Sequence, residues 1–331
     1  MTRADLLVRL VQSGLRGDKV TFRKVVEAII AEEHAKQHKV LANKLEDALN
    51  SIPFERQAPT NGGTMLDPRS SNLIHEIMPQ RQLADLILPP DVLQITRGLI
   101  EEQQRVDLLR SYNLEPRNRV LLIGAPGNGK TSLAEAIAEA LATPLLVVRY
   151  ESVVGTYLGE TANRLKKLFE YASTRKCVLF FDEFETLGKE RGDVHETGEI
   201  KRVVSSLLMQ IDELPSHVLV IGATNHPELL DRAVWRRFQV RVSLPGPTRD
   251  RLQDWFTKFE QRIGVSLGHA PGTLAKRLLG SNFAEAEEFG TTIFREYVLS
   301  QPDADMKKIV AGVLATWKVR TATASNEEGD K

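Results

Sequence analysis

The sequence predicts an α/β fold: a parallel five-stranded sheet sandwiched by helices, a helical region after it, and a small helical bundle before it. Three observations carry this. Short apolar runs at Val120–Ile123, Pro144–Val148, Val178–Phe181, Val218–Ile221 and Gln239–Leu244 alternate with helical patterns, as in a parallel sheet. From about Thr248 such runs stop, and Leu252, Trp255, Phe256 and Phe259 form a helical stripe, with further helices to about Val319. Ahead of the sheet, Phe22, Val25, Val26, Ile29 and Ile30 share one face of an amphipathic helix, and Leu41, Leu45, Ala48 and Leu49 share a face of another.

In chain order, residues 1–50 are expected to form the bundle, with a shorter helix before Gly14 as its third member. Residues 51–83 read as a linker, rich in Pro53, Pro59, Gly62, Gly63 and Pro68. Residues 84–247 hold the α/β unit, 248–319 the helical lid, and 320–331 a polar, disordered tail. A bundle of this size is either a packing module or an adaptor that docks a partner.

Composition narrows the function classes. The 331 residues are 42% apolar and 27% charged, ordinary for a globular protein. No apolar run approaches the roughly 18 residues a membrane span needs, and the stretch Leu6–Val11 is broken by Arg9, so neither a membrane helix nor a secretory signal is expected. With a single cysteine, Cys177, the chain cannot close a disulfide on itself, and a cysteine-based zinc site is not expected. The chain reads as cytoplasmic. Lys plus Arg equals Asp plus Glu, 44 each, so bulk charge speaks against nucleic acid as a partner.

The strongest chemical signal follows the first strand: Gly124, Ala125, Pro126, Gly127, Asn128, Gly129, Lys130 and Thr131, then Ser132. This is G-x-x-x-x-G-K-[ST] between an apolar strand and a helix, the setting a P-loop requires. Its backbone N–H groups would close round phosphates at the positive end of the helix. Lys130 would reach the β- and γ-phosphates of ATP, and Thr131 would ligate Mg²⁺. The third strand ends in Asp182 and Glu183. Asp182 would hold Mg²⁺ through a water and Glu183 would polarise the attacking water; the bland alternative is a pair of surface acids at a strand end. A protein that only senses nucleotide needs no such base, so Glu183 favours hydrolysis. The fourth strand leads to Asn225, whose amide would orient water against the γ-phosphate. Arg236 and Arg237 follow; alone, such a pair would read as a solvated face, although arginine suits charge developing on a transferring phosphoryl group.

This order of motifs over residues 84–300 resembles the AAA ATPase family of the AAA+ superfamily. Asn225 through Phe238, followed by Val242-Ser-Leu-Pro245, is similar to the family's second region of homology and closest to its katanin, spastin and FtsH-like branch. The resemblance implies that Asn225 is the sensor-1 residue. It also implies that Arg236 and Arg237 are arginine fingers reaching a neighbouring subunit's ATP, and hence a self-assembled ring, usually a hexamer. Gly280-Ser-Asn-Phe-Ala284-Glu285 resembles the lid segment whose small residues back the nucleotide, and no sensor-2 arginine accompanies it. Ala125 and Asn128 stand where Pro and Thr are common, and adjacent arginines replace the Arg-Pro-Gly-Arg spacing of some relatives.

Gly155-Thr-Tyr157-Leu158-Gly159 resembles the first pore loop of protein-threading members, so Tyr157, Leu158 and Gly159 would grip a polypeptide; the alternative is a core tyrosine. Gly188–Gly198, with Lys189, Arg191, His195 and Glu196, lies where relatives carry a second such loop. The upstream Leu86–Pro90 and Arg105–Leu122 resemble compact bacterial members with a helical N-terminal domain, some paired with a separate serine protease and linked to phage defence. No His-Glu-x-x-His motif occurs, so a fused zinc protease of the FtsH type is not expected. The leading expectation is an ATP-hydrolysing protein remodeller. A nucleotide-gated ring scaffold or regulator comes second, and a nucleic-acid motor or loader third.

Overall fold

The computed structural model describes residues 73–149, 158–187 and 196–328, together with Val26 and Ile30. The chain divides into two units, Met1–Gly62 and Gly63–Lys331. In the first, Val26 and Ile30 are buried helical positions on the apolar stripe. The rest of the expected bundle, Tyr157 and residues 188–195 lie outside the described residues.

The second unit opens with β1 (Ile74–Ile77), α1 (Pro90–Gln104) and α2 (Val106–Ser111). The α/β core follows: β2 (Arg119–Ile123), α3 (Lys130–Ala140), β3 (Leu145–Val148), α4 (Leu158–Ser173), β4 (Cys177–Phe181), α5 (Glu196–Glu213), β5 (Val218–Thr224), α6 (Arg232–Arg237) and β6 (Val240–Ser243). The sheet runs β1-β3-β4-β5-β2-β6. From β3 to β6 every pairing is parallel.

Successive strand residues point to opposite faces, so each strand feeds two cores. Val120, Leu122, Val178, Phe180, Leu219 and Ile221 pack with Leu99 of α1 and with Leu133 and Ile137 of α3. Leu121, Leu179, Phe181 and Val220 pack with Leu165, Leu168 and Phe169 of α4 and with Leu207 and Ile211 of α5. With both faces covered, β4 and β5 are buried throughout, which is why they read as unbroken apolar runs.

The five strands expected from the sequence are present, and β1 is a sixth. It pairs antiparallel with β3, from Ile74↔Val148 to Ile77↔Leu145, and closes that edge of the sheet. Its His75 and Glu76 face outward, so no apolar run marks it. This strand lies in the stretch read from the sequence as linker.

The lid comprises α7 (Arg249–Ile263), α8 (Pro271–Arg277), α9 (Phe283–Leu299) and α10 (Met306–Glu328). It has its own core, with Leu252, Phe256 and Phe259 against Leu274, Phe289, Ile293 and Val310. Helix α10 includes residues to Glu328, within the tail expected to be disordered, and no proline interrupts Met306–Glu328.

Cys177 sits at the start of β4, 1% exposed, its thiol directed at the Ala172 carbonyl oxygen at 3.7 Å. Burial pushes that thiol up to about 12. Among the described residues no helix is long and apolar enough to cross a membrane.

Candidate active site

The carboxyl ends of β2, β4 and β5 converge on one cleft, at the edge where open parallel sheets bind ligands. The loop leaving β2 is shaped by two close approaches. A Cβ on Gly124 would lie 2.3 Å from the Leu244 carbonyl oxygen, so glycine alone lets the loop pass beneath the β6–α7 connection. Gly127 has φ 75°, and a Cβ there would lie 2.6 Å from Asn282 Oδ1 of the lid. The loop ends at Gly129, which caps α3, and the free N–H groups of that helix's first turn are a ready anion site.

Lys130 is the first residue of α3 and is buried. Its ammonium donates to the carbonyls of Gly124 (2.7 Å) and Ala125 (3.1 Å) and to Asn225 Oδ1 (2.6 Å). Burial pushes this lysine below its ordinary value, and the carboxylates of Asp182 and Glu185 pull partly the other way. The Thr131 hydroxyl donates to Asp182 Oδ2 at 3.2 Å, joining α3 to the end of β4.

After β4 the chain turns sharply. Glu183 has φ 47°, an uncommon conformation for a non-glycine residue, and its carbonyl accepts both the N–H and the hydroxyl of Thr186, each at 2.8 Å. Phe184 is buried beneath this turn, edge-on to Phe181 and Phe238 at 5.9 and 5.5 Å. Glu183 is thereby left exposed at the cleft wall while Glu185 is turned inward, 4% exposed. Glu185 Oε1 accepts the backbone N–H of Asn225 at 3.1 Å. Next along the chain, the N–H of His226 donates to the buried Thr224 hydroxyl at 3.1 Å. Two successive amides past the end of β5 are therefore held by side chains, which fixes Asn225.

The cleft has a volume of about 1060 Å³. Lys130, Thr131, Asp182, Glu183 and Asn225 form its polar end; Leu86, Ile87 and Leu88 line it ahead of α1, and Trp255, Phe259, Phe283 and Ala284 line it from the lid. The lid is bonded to the loop, with the Ala284 N–H donating to the Gly127 carbonyl at 3.1 Å. Asn282 and Glu285 cap α9 reciprocally at 2.8 and 2.9 Å, which sets the angle at which Ala284 arrives. Asn128 is buried and donates to the Leu244 carbonyl at 3.4 Å. The Ser132 hydroxyl accepts from Arg81 at 2.9 Å.

The two arginines lie elsewhere: neither lines the cleft. Arg237 donates through Nε to Asp212 Oδ2 at 2.8 Å and through Nη1 to the Ala233 carbonyl at 3.1 Å, and Arg119 bonds the other oxygen of Asp212. Arg236 is exposed, and no described residue holds its guanidinium. Leu158 and Gly159 open α4.

The cleft suits a nucleoside triphosphate: an apolar end, a glycine loop shaped for phosphate, and a buried cation. No group of three or more His, Cys, Asp or Glu among the described residues would hold a metal alone. Mg²⁺ does not require one, since it is bound through one or two side chains plus substrate phosphates, as Thr131 and Asp182 would allow. Sequence reading missed Glu185 and Arg81. The only trace of Glu185 is a third acid in Asp182-Glu183-Phe184-Glu185; Arg81 has none, because its partner is 51 residues away.

Comparison with known proteins bears on the whole cleft. Residues 120–246 match the family model described as ATPase family associated with various cellular activities, AAA. An AAA family ATPase of Sinorhizobium fredii is 34% identical over 304 residues, covering 91% of each chain. A protein of Methanothermobacter marburgensis named as a putative 26S proteasome regulatory subunit homologue is 31% identical over 253 residues, 76% of this chain and 67% of its own. A protein of Corynebacterium efficiens named as an AAA ATPase forming ring-shaped complexes is 30% identical over 278 residues, 73% of this chain and about half (52%) of its own length.

Proposed function

We propose, from the premise that this chain belongs to the AAA ATPase family and hydrolyses ATP, that it assembles into a homo-oligomeric ring and remodels or threads a polypeptide. The observation that carries the reading is a division of labour. Lys130, Thr131, Asp182, Glu183 and Asn225 surround one cleft, whereas the Arg236–Arg237 pair lies outside it. An arginine from that pair serves a neighbour's nucleotide, so each site is completed by the next subunit. Relatives named for ring-shaped complexes and for a proteasome regulatory subunit support both the ring and the polypeptide substrate.

In this reading Leu86–Leu88 and the lid hold the base, and the loop Gly124–Thr131 wraps the phosphates. Lys130 neutralises charge at the β- and γ-phosphates, and Ser132 adds a hydroxyl at the start of α3. Thr131 and Asp182 would hold Mg²⁺, which would supply positive charge against the phosphates. Glu183 polarises the attacking water, and Asn225, fixed by its backbone, orients that water against the γ-phosphate. Tyr157, with Leu158 and Gly159, makes the apolar contact with substrate.

The test is a trap. Glu183→Gln is expressed in the native cell and held with ATP, and the retained material is identified, with Glu183→Gln/Tyr157→Ala as control. Polypeptides retained by the first and lost from the second are expected. A single partner indifferent to Tyr157 would replace threading with a scaffold, and retained nucleic acid would replace it with a loader.

A further inference from the structure

Among the described residues Glu185 is the only carboxylate among the buried polar side chains, and Lys130 the only cation. The roles given to the site leave Glu185 without a task. Its Oε1 takes the Asn225 N–H; its Oε2 is buried and has no hydrogen-bond partner among the described residues. A buried carboxylate with half its acceptors unfilled is costly, while the neighbouring buried position of the same turn is filled by the hydrophobic Phe184.

Geometry supplies a reason. β5 is paired with β4 only as far as Phe181↔Gly222 and with β2 as far as Ile123↔Thr224. Asn225 is one residue beyond, where the sheet no longer offers its N–H an acceptor. Glu185 supplies one, in place of a strand. It belongs to the same turn, Phe184–Leu187, whose first bonds close on the Glu183 carbonyl. The group that polarises water and the group that orients it are therefore braced to one another through a single side chain.

We infer that Glu185 is a positioning residue for hydrolysis: by binding the Asn225 backbone it locks Asn225 to the turn that presents Glu183, so that both meet the same water. The inference rests on the roles proposed above for Glu183 and Asn225.

Two substitutions separate bond from charge. Glu185→Gln keeps an oxygen for the Asn225 N–H and removes the charge. Glu185→Asp keeps the charge on a side chain one methylene too short to reach. Single-turnover ATP hydrolysis and binding of a fluorescent ATP analogue are measured for both, with Glu183→Gln and Asn225→Ala alongside. Glu185→Asp is expected to hydrolyse about 10²-fold more slowly, the scale of a 1 Å misplacement, with nucleotide affinity within about threefold of the parent. Glu185→Gln is expected to retain hydrolysis to within about fivefold and nucleotide affinity to within about threefold. Full hydrolysis by Glu185→Asp, or equal losses of rate and affinity in both variants, overturns the inference. Normal turnover by Glu183→Gln is a different outcome: it removes the proposed site roles themselves.

Discussion

Lys130 and Asn225 are bonded directly, ammonium to amide oxygen, at 2.6 Å. One comes from the start of α3 and the other from just past β5, 95 residues apart in the chain. The bond holds the lysine against the end of the central strands and faces the asparagine amide toward the phosphate loop. The two groups assigned to the γ-phosphate thus share one point in space. Asn225→Ala should therefore reduce hydrolysis by about 10²-fold, the usual cost of one oriented polar group at the reacting centre, while ATP still binds. Single-turnover kinetics beside equilibrium ATP binding check this; a matching loss of affinity would assign Asn225 to binding instead.

The lowered position of Lys130 makes nucleotide affinity pH-dependent. Its ammonium is destabilised by burial, so it loses its proton at a lower pH than a solvated lysine. Bound phosphates favour the charged form. Above the pH at which Lys130 begins to deprotonate, binding must take up a proton, and affinity falls as pH rises. ATP affinity measured from neutral to alkaline pH in buffers of different ionisation enthalpy should show that proton uptake. An affinity flat to the range of a solvated lysine would contradict it.

Gly127 joins the phosphate loop to the lid. Gly127→Ala places a methyl group 2.6 Å from Asn282 and requires a left-handed backbone of an L-residue. Strain of about 1–3 kcal/mol is expected, released by pushing the lid away. Nucleotide affinity should drop by roughly tenfold or more, while thermal unfolding of the lid core changes little. Calorimetry and nucleotide titration on the same sample separate the two.

The arginines at 236 and 237 should differ. Arg236→Ala removes an exposed guanidinium that no described residue holds, so the melting temperature should stay put while turnover falls by about 10³-fold. Mixing Arg236→Ala with Glu183→Gln should restore activity, since each subunit supplies what the other lacks. Asp212→Ala strips the common partner of Arg119 and Arg237 and should cost about 1 kcal/mol of stability, these side chains being partly solvated. No recovery on mixing would deny that Arg236 acts across subunits.

Much of this was legible in the sequence because burial on both faces leaves unbroken apolar strands, and because the glycine loop between strand and helix has one physical use. β1 was not: with Ile74 buried and His75 and Glu76 outward, it has neither a run nor an alternation. Glu185 was hidden because an acid beside two acids at a strand end looks solvated; only the tight turn at Glu183, with Phe184 buried under it, sends it inward. Arg236 and Arg237 were indistinguishable as letters. On a helix, neighbours point about 100° apart, so one meets Asp212 and the other meets solvent.

The burial of Cys177 has a practical corollary. It is the only thiol in the sequence, sealed inside β4 and with a proton it gives up only near pH 12. Reagents that attack thiolates find nothing to react with near neutral pH. The natural chain is thus already a blank background for site-specific dyes. One cysteine introduced beside Arg236 and another on the lid would accept a fluorophore pair without any prior cysteine removal, and subunit exchange and lid rotation would each become directly visible with Cys177 left in place.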